Sequence, residues 1–447
     1  MKRRMIGDTA GRPTIVSTER RSLPGHRTAN DPRIGHSSGA SLRSGLVRAR
    51  TSLLAALTCA AVVGAACSGA AEPTTTPAPS MTTQPASTTT SRPAPTTTVA
   101  VRGVTVSGDL DEGLLTATAE LYSWIHDHHN PRPAIPSLLW LRLLDTERPA
   151  DEIEASGVVA DLDNGESVAV VHAGEDLLIA VRDPAWRIVG ADLADADPWF
   201  GRPPRSLLVI GSDARVGENQ QRLRADSVHI VTVVPSEGGT IVGFPRDSWV
   251  DSPAGTMKLT NVLAGRGPEV LLETTESLTE LDLEGYIVTG FKGFSDLIGE
   301  LGGLVIDLPS AVNSGVAEWE SYPAGEQKLS PVRTLRLARI RKTLAGGDFT
   351  RSANQGLIML AGMQMVRDLG IDTLPSMVEA LLAHAFTDLT TEALLTLAAS
   401  MYTVDPDDLV NRVLPGRVGS VAGQSVVFLS ADATDVYRDL RDGLLDE

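Results

Sequence analysis

The chain has 447 residues, 42% of them hydrophobic, and a formal net charge of −17, so it holds enough apolar side chains for two or three packed domains and is not disordered throughout. Residues 1–66 carry 11 of the 39 Lys+Arg and 3 of the 56 Asp+Glu, leaving 28 basic against 53 acidic side chains in the remainder. That balance argues against a nucleic-acid partner, because a phosphate backbone is bound through a net basic surface; any anion has to be held by a local cluster.

The only cysteines, Cys59 and Cys67, lie within or just after a short apolar run, so the rest of the chain is built without disulfides. That run, SLLAALTCAAVVGAA (52–66), follows Arg48 and Arg50 and has the length of an export-signal core, too short and alanine-rich for a membrane span. Its end, Val62 to Cys67, resembles a bacterial lipoprotein box, which implies lipidation at Cys67. A type II membrane anchor is the other reading, and both place the chain on the outer face of the cytoplasmic membrane. Residues 1–46 are long for a signal's leading segment; a start at Val47 gives a compact one, so 1–66 reads as a signal peptide behind a start set too early.

Residues 67–106 read as a Thr/Pro-rich stalk, with too few bulky apolar side chains to offset ordering entropy. From 107 to 200 the pattern predicts a small α+β accessory domain: a helix over Leu114 to Ile125, then strands in SVAVVHA, LLIAVRD and WRIVGADL. His126, His128 and His129 admit a metal site or a solvated helix end. From 205 to 447 strands (SLLVIGS, SVHIVTVV, TIVGF) alternate with helices, which predicts a layered α/β domain.

The chemistry sits where charges meet strand ends. Asp213 and Arg215 follow the first of these strands, Arg224 and Asp226 precede the second, and Arg246 and Asp247 follow the third, the position at which α/β sheets place ligands. Downstream, Arg336, Arg339, Arg341, Lys342 and Arg351 put four arginines and a lysine into 16 residues of an otherwise acidic region. Arginine suits phosphate through its planar fork of donors. Asp348 is expected to cap the helix that begins near Arg351, and Gln355 shares a face with Arg351. The whole fits a pyrophosphate held by arginines, with Mg²⁺ on one or more of Asp213, Asp226 and Asp247 through hard oxygen ligands, and an aspartate available to deprotonate an attacking hydroxyl. No Ser-His-Asp arrangement is visible, and His229 reads as a core residue of its strand.

At these residues the chain resembles the LytR-CpsA-Psr family of cell-envelope enzymes. The matching runs are LLVIGSDAR (207–215), LRADS (223–227), VGFPRDSWV (242–250), Lys258 in MKLTNVLA, GYIVTGFKGFSDLIGELGGLVIDLP (285–309) and ARIRKTLAGGDFTRSANQ (338–355). They occur in the family's order and cover most of 205–370. The resemblance implies an α-β-α domain with a central mixed sheet, and transfer of a glycopolymer from a polyprenyl-pyrophosphate lipid to peptidoglycan or a related wall acceptor. It implies catalytic roles for Asp226, Arg246 and Asp247; pyrophosphate binding by Arg224, Lys258, Arg339, Arg341, Arg351 and Gln355; and Mg²⁺ at Asp213 and Asp226, with Asp348 in the same motif. It also implies an apolar groove for the polyprenyl chain, lined here by the helices from 268 and 351. The chain departs from the family at Asn354, where a second arginine is common, and at Thr260, where an asparagine is usual; most relatives also carry a membrane-spanning anchor. Hydrolysis of the same pyrophosphate, or binding of polyprenyl phosphates or wall polymer without turnover, are the alternative functions.

Overall fold

In the computed structural model the described residues are 96–149, 151–317 and 319–445; the leader, Cys59, Cys67 and the greater part of the expected stalk lie outside them. The folded chain begins earlier than the stalk reading allowed. β1 (Thr97–Val101) and β2 (Val104–Gly108) form an antiparallel hairpin. Arg102 and Gly103, with φ of 44° and 92°, supply the two left-handed residues of a turn whose twist matches the strands. Beyond Pro95 the Thr/Pro composition gives way to alternating valines, and Val104 and Val106 are fully buried.

α1 (Glu112–His126) follows, its first turn capped by the Asp111 carboxylate, which accepts from the Gly113 and Leu114 amides. After α2 (Ser137–Arg142) come β3 (Glu152–Asp161), β4 (Ser167–Ala173), β5 (Asp176–Arg182) and β6 (Trp186–Asp192), completing a six-stranded sheet in the order β1-β2-β3-β4-β5-β6. The helical stripe of α1, including Leu114, Leu115, Leu121 and Ile125, packs on one face of this sheet.

The second sheet is built from β7 (Arg205–Ser212), β8 (Ala225–Val234) and β9 (Gly238–Gly243). Two short strands, β10 (Trp249–Val250) and β11 (Met257–Lys258), then lead into α3 (Leu259–Arg266) and α4 (Pro268–Thr279). β12 (Tyr286–Thr289), α5 (Phe291–Glu300), the hairpin β13 (Leu304–Leu308) and β14 (Gly325–Leu329), α6 (Pro331–Arg339) and α7 (Asp348–Leu369) come next. The chain ends with α8 (Leu374–His384), β15 (Phe386–Thr387), α9 (Thr391–Tyr402), β16 (Leu409–Val413), β17 (Gly416–Val421), β18 (Gln424–Leu429) and α10 (Asp432–Asp439). The sheet order is β15-β12-β7-β8-β9-β16, with β7–β12 and β9–β16 parallel and the other pairs antiparallel. Alternation decides the layers. Val228 and Ile230 of β8 face Leu259, Val262 and Leu263 of α3 and Val436 of α10. Val231 and Val233 face Leu397 of α9 and Met359 and Met363 of α7. This is the expected α-β-α arrangement around a mixed sheet.

The accessory sheet turns its second face to this domain. Val168, Val170, Ile179, Val181 and Val189 pack with Leu374 and Val378 of α8 and Leu394, Leu395 and Ala399 of α9. Phe200, fully buried in the connection between the sheets, belongs to the same core. Its carbonyl accepts from Ser400 Oγ at 3.0 Å, and polar contacts rim the junction: His172 Nε2 to Asp372 at 2.7 Å and Arg187 to Glu392 at 3.0 Å. Among the described residues no helix is long and apolar enough to cross a membrane. Phe200→Ala leaves a cavity at this shared core and is expected to cost about 3–5 kcal/mol of stability, read as a lower urea midpoint at unchanged slope.

Candidate active site

β7 and β9 end, and antiparallel β8 begins, at the same edge of the main sheet, so Asp213, Arg224, Asp226, Arg246 and Asp247 gather there. The end of α6 brings Arg339 and, just beyond it, Arg341; the first turns of α7 bring Asp348, Arg351 and Gln355. Sequence neighbours do not pair with one another. Arg224 binds Asp213, with Nε to Oδ2 at 3.0 Å and the backbone amide to Oδ1 at 2.9 Å. Arg246 donates to Asp226 Oδ1. Asp247 lies between Lys258 at 3.3 Å and Arg341 at 3.9 Å. The partners come from different segments that the sheet topology brings to one end: the start of β8 for Arg246, and β11 and the residues just beyond α6 for Asp247.

Asp348 is not the cap that its position implied. It is the first residue of α7, Gly347 precedes it without a side-chain cap, and the Asp348 carboxylate instead accepts from Arg351. Arg351 is itself buried, at 4% exposure. Burial pulls its guanidinium below the ordinary arginine value; Asp348 offsets this in part, and the nearby Arg246 adds to it. Burial also opposes the charge on Arg246, but Asp226 outweighs it, with help from Asp247 and Asp348, and holds that group above its ordinary value. Nε of Arg246, Nε of Arg351, Asn354 Nδ2 and Thr260 Oγ1 are buried without a partner among the described residues, as is Asp348 Oδ2. A buried polar group left unpaired costs about 1–3 kcal/mol. An oxyanion with several acceptor lone pairs is the ligand that would satisfy the unpaired N–H donors.

Arg339 stacks on Phe291 at 4.2 Å and faces Trp319 at 5.6 Å, which fixes its plane while leaving its N–H edge available. Gln355, expected on the phosphate, has its amide nitrogen engaged by two backbone carbonyls, Ala338 at 3.0 Å and Asp226 at 3.4 Å. It ties α6 to the start of β8 and positions the cluster. Arg224, Lys258 and Arg351 also donate to carboxylates, but each is a cation with further N–H groups, whereas the Gln355 amide nitrogen, with two hydrogens, already faces two carbonyls.

α7 reaches the sheet by close approach at Gly243, where a Cβ would stand 2.3 Å from Ser352 Oγ and 2.7 Å from His229 Nε2. His229 points to α7 because it alternates with Val228 and Ile230. Its Nε2 lies 3.1 Å from the Ser352 carbonyl, and its Nδ1 lies 3.0 Å from Ser227 Oγ. A neutral ring answers both, donating from Nε2 and accepting at Nδ1. Burial is the main cause that pushes its pKa down from 6.5 to about 4. The expected core histidine is thus also the tie between β8 and the α7 turn that carries Arg351.

An apolar cavity of about 250 Å³ opens beside Asp226, Ser227, Arg339 and Gln355, with walls from Phe291, Phe294, Ile358 and Met359. A second, of about 320 Å³, shares Val209, Ile287, Leu297, Met359 and Leu381 with it and continues between α7, α8 and α9. The helix from 351 lines this passage as expected. The helix from 268 does not: Leu271 of α4 packs into the core on the opposite side of the sheet, and α5, α8 and α9 form the walls instead.

Magnesium fits part of the donor set. Both oxygens of Asp213 are engaged by Arg224, whereas Asp226 uses Oδ1 for Arg246. Among the described residues no group of three His, Cys, Asp or Glu side chains could hold a metal ion. A hard cation held by one or two carboxylates and completed by phosphate oxygens fits these residues; an all-protein cage does not. The histidines at the end of α1 face different partners: His126 Nδ1 the Arg148 carbonyl, His129 the Asp127 carboxylate, and His128 the ring of Trp124.

Sequence reasoning missed Phe291, Trp319, Ser227 and Ser352. Phe291, Trp319 and Ser352 act through contacts with segments well separated in the chain, which no local spacing encodes; Ser227 meets His229 only two residues away, on the same strand.

The depressed pKa of His229 has a definite sign. Below pH about 6.5 the unfolded chain takes up a proton that the folded chain refuses, so stability falls as pH drops towards about 4. Between roughly pH 7 and pH 5 the loss from this group is about 2 kcal/mol. Urea unfolding at the two pH values measures it, and in His229→Gln that part of the loss is expected to disappear.

The sequence profile of the LytR_cpsA_psr family matches residues 199–440, more than half of the chain. Among curated relatives, the polyisoprenyl-teichoic acid–peptidoglycan teichoic acid transferase TagV of Bacillus subtilis (strain 168) is 29% identical over 169 residues, 36% of this chain and 43% of the relative. TagU of Bacillus licheniformis, which bears the same transferase name, is 30% identical over 155 residues, 34% and 49% respectively. The chain spans about half the length of the curated relatives it matches. The crystal structure of B. subtilis TagV superposes with a TM-score of 0.47 at 21% identity, over 55% of this chain and 100% of that one. The structure of TagT bound to LIIa-WTA gives 0.45 at 21%, over 55% and 92%. On the match over residues 199–440, the chain belongs to the LytR_cpsA_psr family.

Proposed function

We propose that this protein transfers a glycopolymer from a polyprenyl-pyrophosphate carrier to peptidoglycan or a related wall acceptor. The observation that carries the reading is the juxtaposition at one sheet edge: a cluster of the half-buried Arg246, Arg339 and Arg341 with the buried Arg351 stands at the mouth of an apolar passage. A ligand with a charged diphosphate joined to a long hydrocarbon chain has both halves of that chemistry. The transferase names of the curated relatives support the same reading.

In this scheme Arg246, Arg351 and Arg341 neutralise the diphosphate, and Arg339, braced on Phe291, orients it. Lys258 and Arg224 add charge at the rim while paired with Asp247 and Asp213. An acceptor hydroxyl attacks the phosphorus next to the sugar, the bond from that phosphorus to the bridging oxygen breaks, and polyprenyl phosphate leaves with the electron pair. Asp226 or Asp247 receives the hydroxyl proton. Magnesium at Asp226, with Asp213 as the second carboxylate, would supply charge stabilisation at the phosphate oxygens. Preorganised donors act most strongly where water is excluded, as beside the buried Arg351. The folded part would work outside the cytoplasmic membrane, tethered through the apolar run 52–66 or a lipidated Cys67; the basis for this is the sequence of the leader.

The test is turnover by the full chain with a polyprenyl-pyrophosphate-linked glycopolymer, Mg²⁺ and peptidoglycan. Polymer bound to peptidoglycan and released polyprenyl phosphate are expected, and Arg246→Ala or Asp226→Asn should lower the rate by about 10²–10³-fold. Phosphate release independent of acceptor would identify a hydrolase. Tight lipid binding without turnover would identify a binding protein.

A further inference from the structure

α5 has two faces of opposite chemistry. Phe291, Phe294 and Leu297 line the apolar cavity, whereas Lys292 and Asp296 line a separate cavity of about 390 Å³. The loop after β7 contributes Arg215, Asn219 and Gln221 to this second cavity, and the ring of Phe386, 50% exposed, stands at its border. The two cavities share Gly290 at the start of α5. That junction is fixed from the loop: the Gly290 amide donates to Gln220 Oε1, and the Phe291 amide donates to the Ala214 carbonyl at 2.9 Å. Arg339, stacked on Phe291, stands beside it.

The order across the site is therefore an apolar passage, a cationic cluster and a polar cavity. The fixed charges of the polar cavity balance, with Arg215 and Lys292 against Glu218 and Asp296, and its one histidine, His384, faces Asp296 at 3.7 Å, so it does not call for a second anion. Amides, a carboxylate, an ammonium and one exposed phenyl face match a neutral ligand that has many hydroxyl or acetamido groups and a C–H face. From this arrangement we infer that the cavity bordered by the 214–221 loop, α5 and Phe386 is a saccharide subsite. The occupant is either the sugar attached to the diphosphate or the acceptor glycan, both of which have this chemistry. The inference rests on the transferase reading and adds a place for the part of the substrate that is neither lipid nor phosphate.

The test uses the full chain and two variants, Phe386→Ala and Gln221→Ala, which change exposed or half-exposed side chains; circular dichroism checks that the fold is retained. Three probes are titrated: farnesyl pyrophosphate, farnesyl-pyrophosphoryl-N-acetylglucosamine and a soluble peptidoglycan tetrasaccharide. Each variant is expected to weaken a sugar-bearing probe by roughly tenfold, the scale of one lost polar contact, and to leave farnesyl pyrophosphate within about twofold. A loss confined to the pyrophosphoryl sugar identifies the donor as occupant, and a loss confined to the tetrasaccharide identifies the acceptor. Unchanged binding of both sugar probes, or equal weakening of farnesyl pyrophosphate, would overturn the subsite. Absence of farnesyl pyrophosphate binding to the unaltered chain would overturn the transferase reading, and this subsite with it.

Discussion

The structure depends on a crowding of guanidinium groups that the protein alone does not neutralise. Arg246 and Arg351 repel each other inside the domain, Arg341 stands near Asp247, and Asp226 and Asp348 each contact one arginine. On each of Arg246 and Arg351 the Nε is buried and without a partner among the described residues. Holding like charges at partial burial is costly unless the surroundings over-determine their positions. Two apolar cores, one on each face of the mixed sheet, provide that rigidity. His229 and Gly243 then set how closely α7 approaches. An anion entering the niche would meet donors that are already held in place and unpaired.

The apolar passage obeys a related constraint. A cavity lined by Leu, Val, Ile and Met loses dispersion contacts unless something fills it, so its walls need support from behind. α8 and α9 have that support. Leu374, Val378 and Leu394 line the passage and also belong to the core formed with the accessory sheet. The six-stranded sheet of residues 97–192 thus backs the passage wall, and the same two helices serve a core on one side and an opening on the other. Methionines 359, 363, 377 and 401 lie on the cavity side, where flexible thioethers adapt to an irregular or absent filler.

What could be read from the sequence follows from the range of the interactions concerned. The strands at 206–212, 227–234 and 240–244 and the long helix through Arg351 announce themselves by local periodicity, and the charges at strand ends follow from topology. The α1 helix was legible for the same reason. The pairing inside the cluster was not, since it depends on which strands are neighbours: Arg224 meets Asp213 eleven residues away, and Arg246 meets Asp226 twenty away. The Arg339–Phe291 stack and the His229–Ser352 tie join segments 48 and 123 residues apart. The hairpin at 97–108 is hidden differently, because its first strand opens in the same threonine run that ends the Thr/Pro-rich stretch, and the valine alternation starts only at Val99. The wrong choice of α4 as a passage wall has a simple cause: an amphipathic helix states that one face is buried, without stating against which side of the sheet.

The two departures from the family pattern both fall at buried polar positions. Asn354 occupies a buried position one turn beyond Arg351, and Thr260, also buried, donates its amide to the Arg246 carbonyl at 2.9 Å. Each leaves a side-chain polar atom without a partner among the described residues. If the cluster takes a diphosphate as proposed, an arginine at 354 would add positive charge one turn from Arg351 and would raise both the repulsion within the cluster and the attraction for that ligand. Asparagine lowers both and keeps a hydrogen-bond donor at the same depth. The balance therefore shifts from charge towards neutral hydrogen bonds, which are weaker singly but more directional. On the proposed function, a site of this kind would rely more heavily on recognition at its ends, in the apolar passage on one side and in the polar cavity on the other.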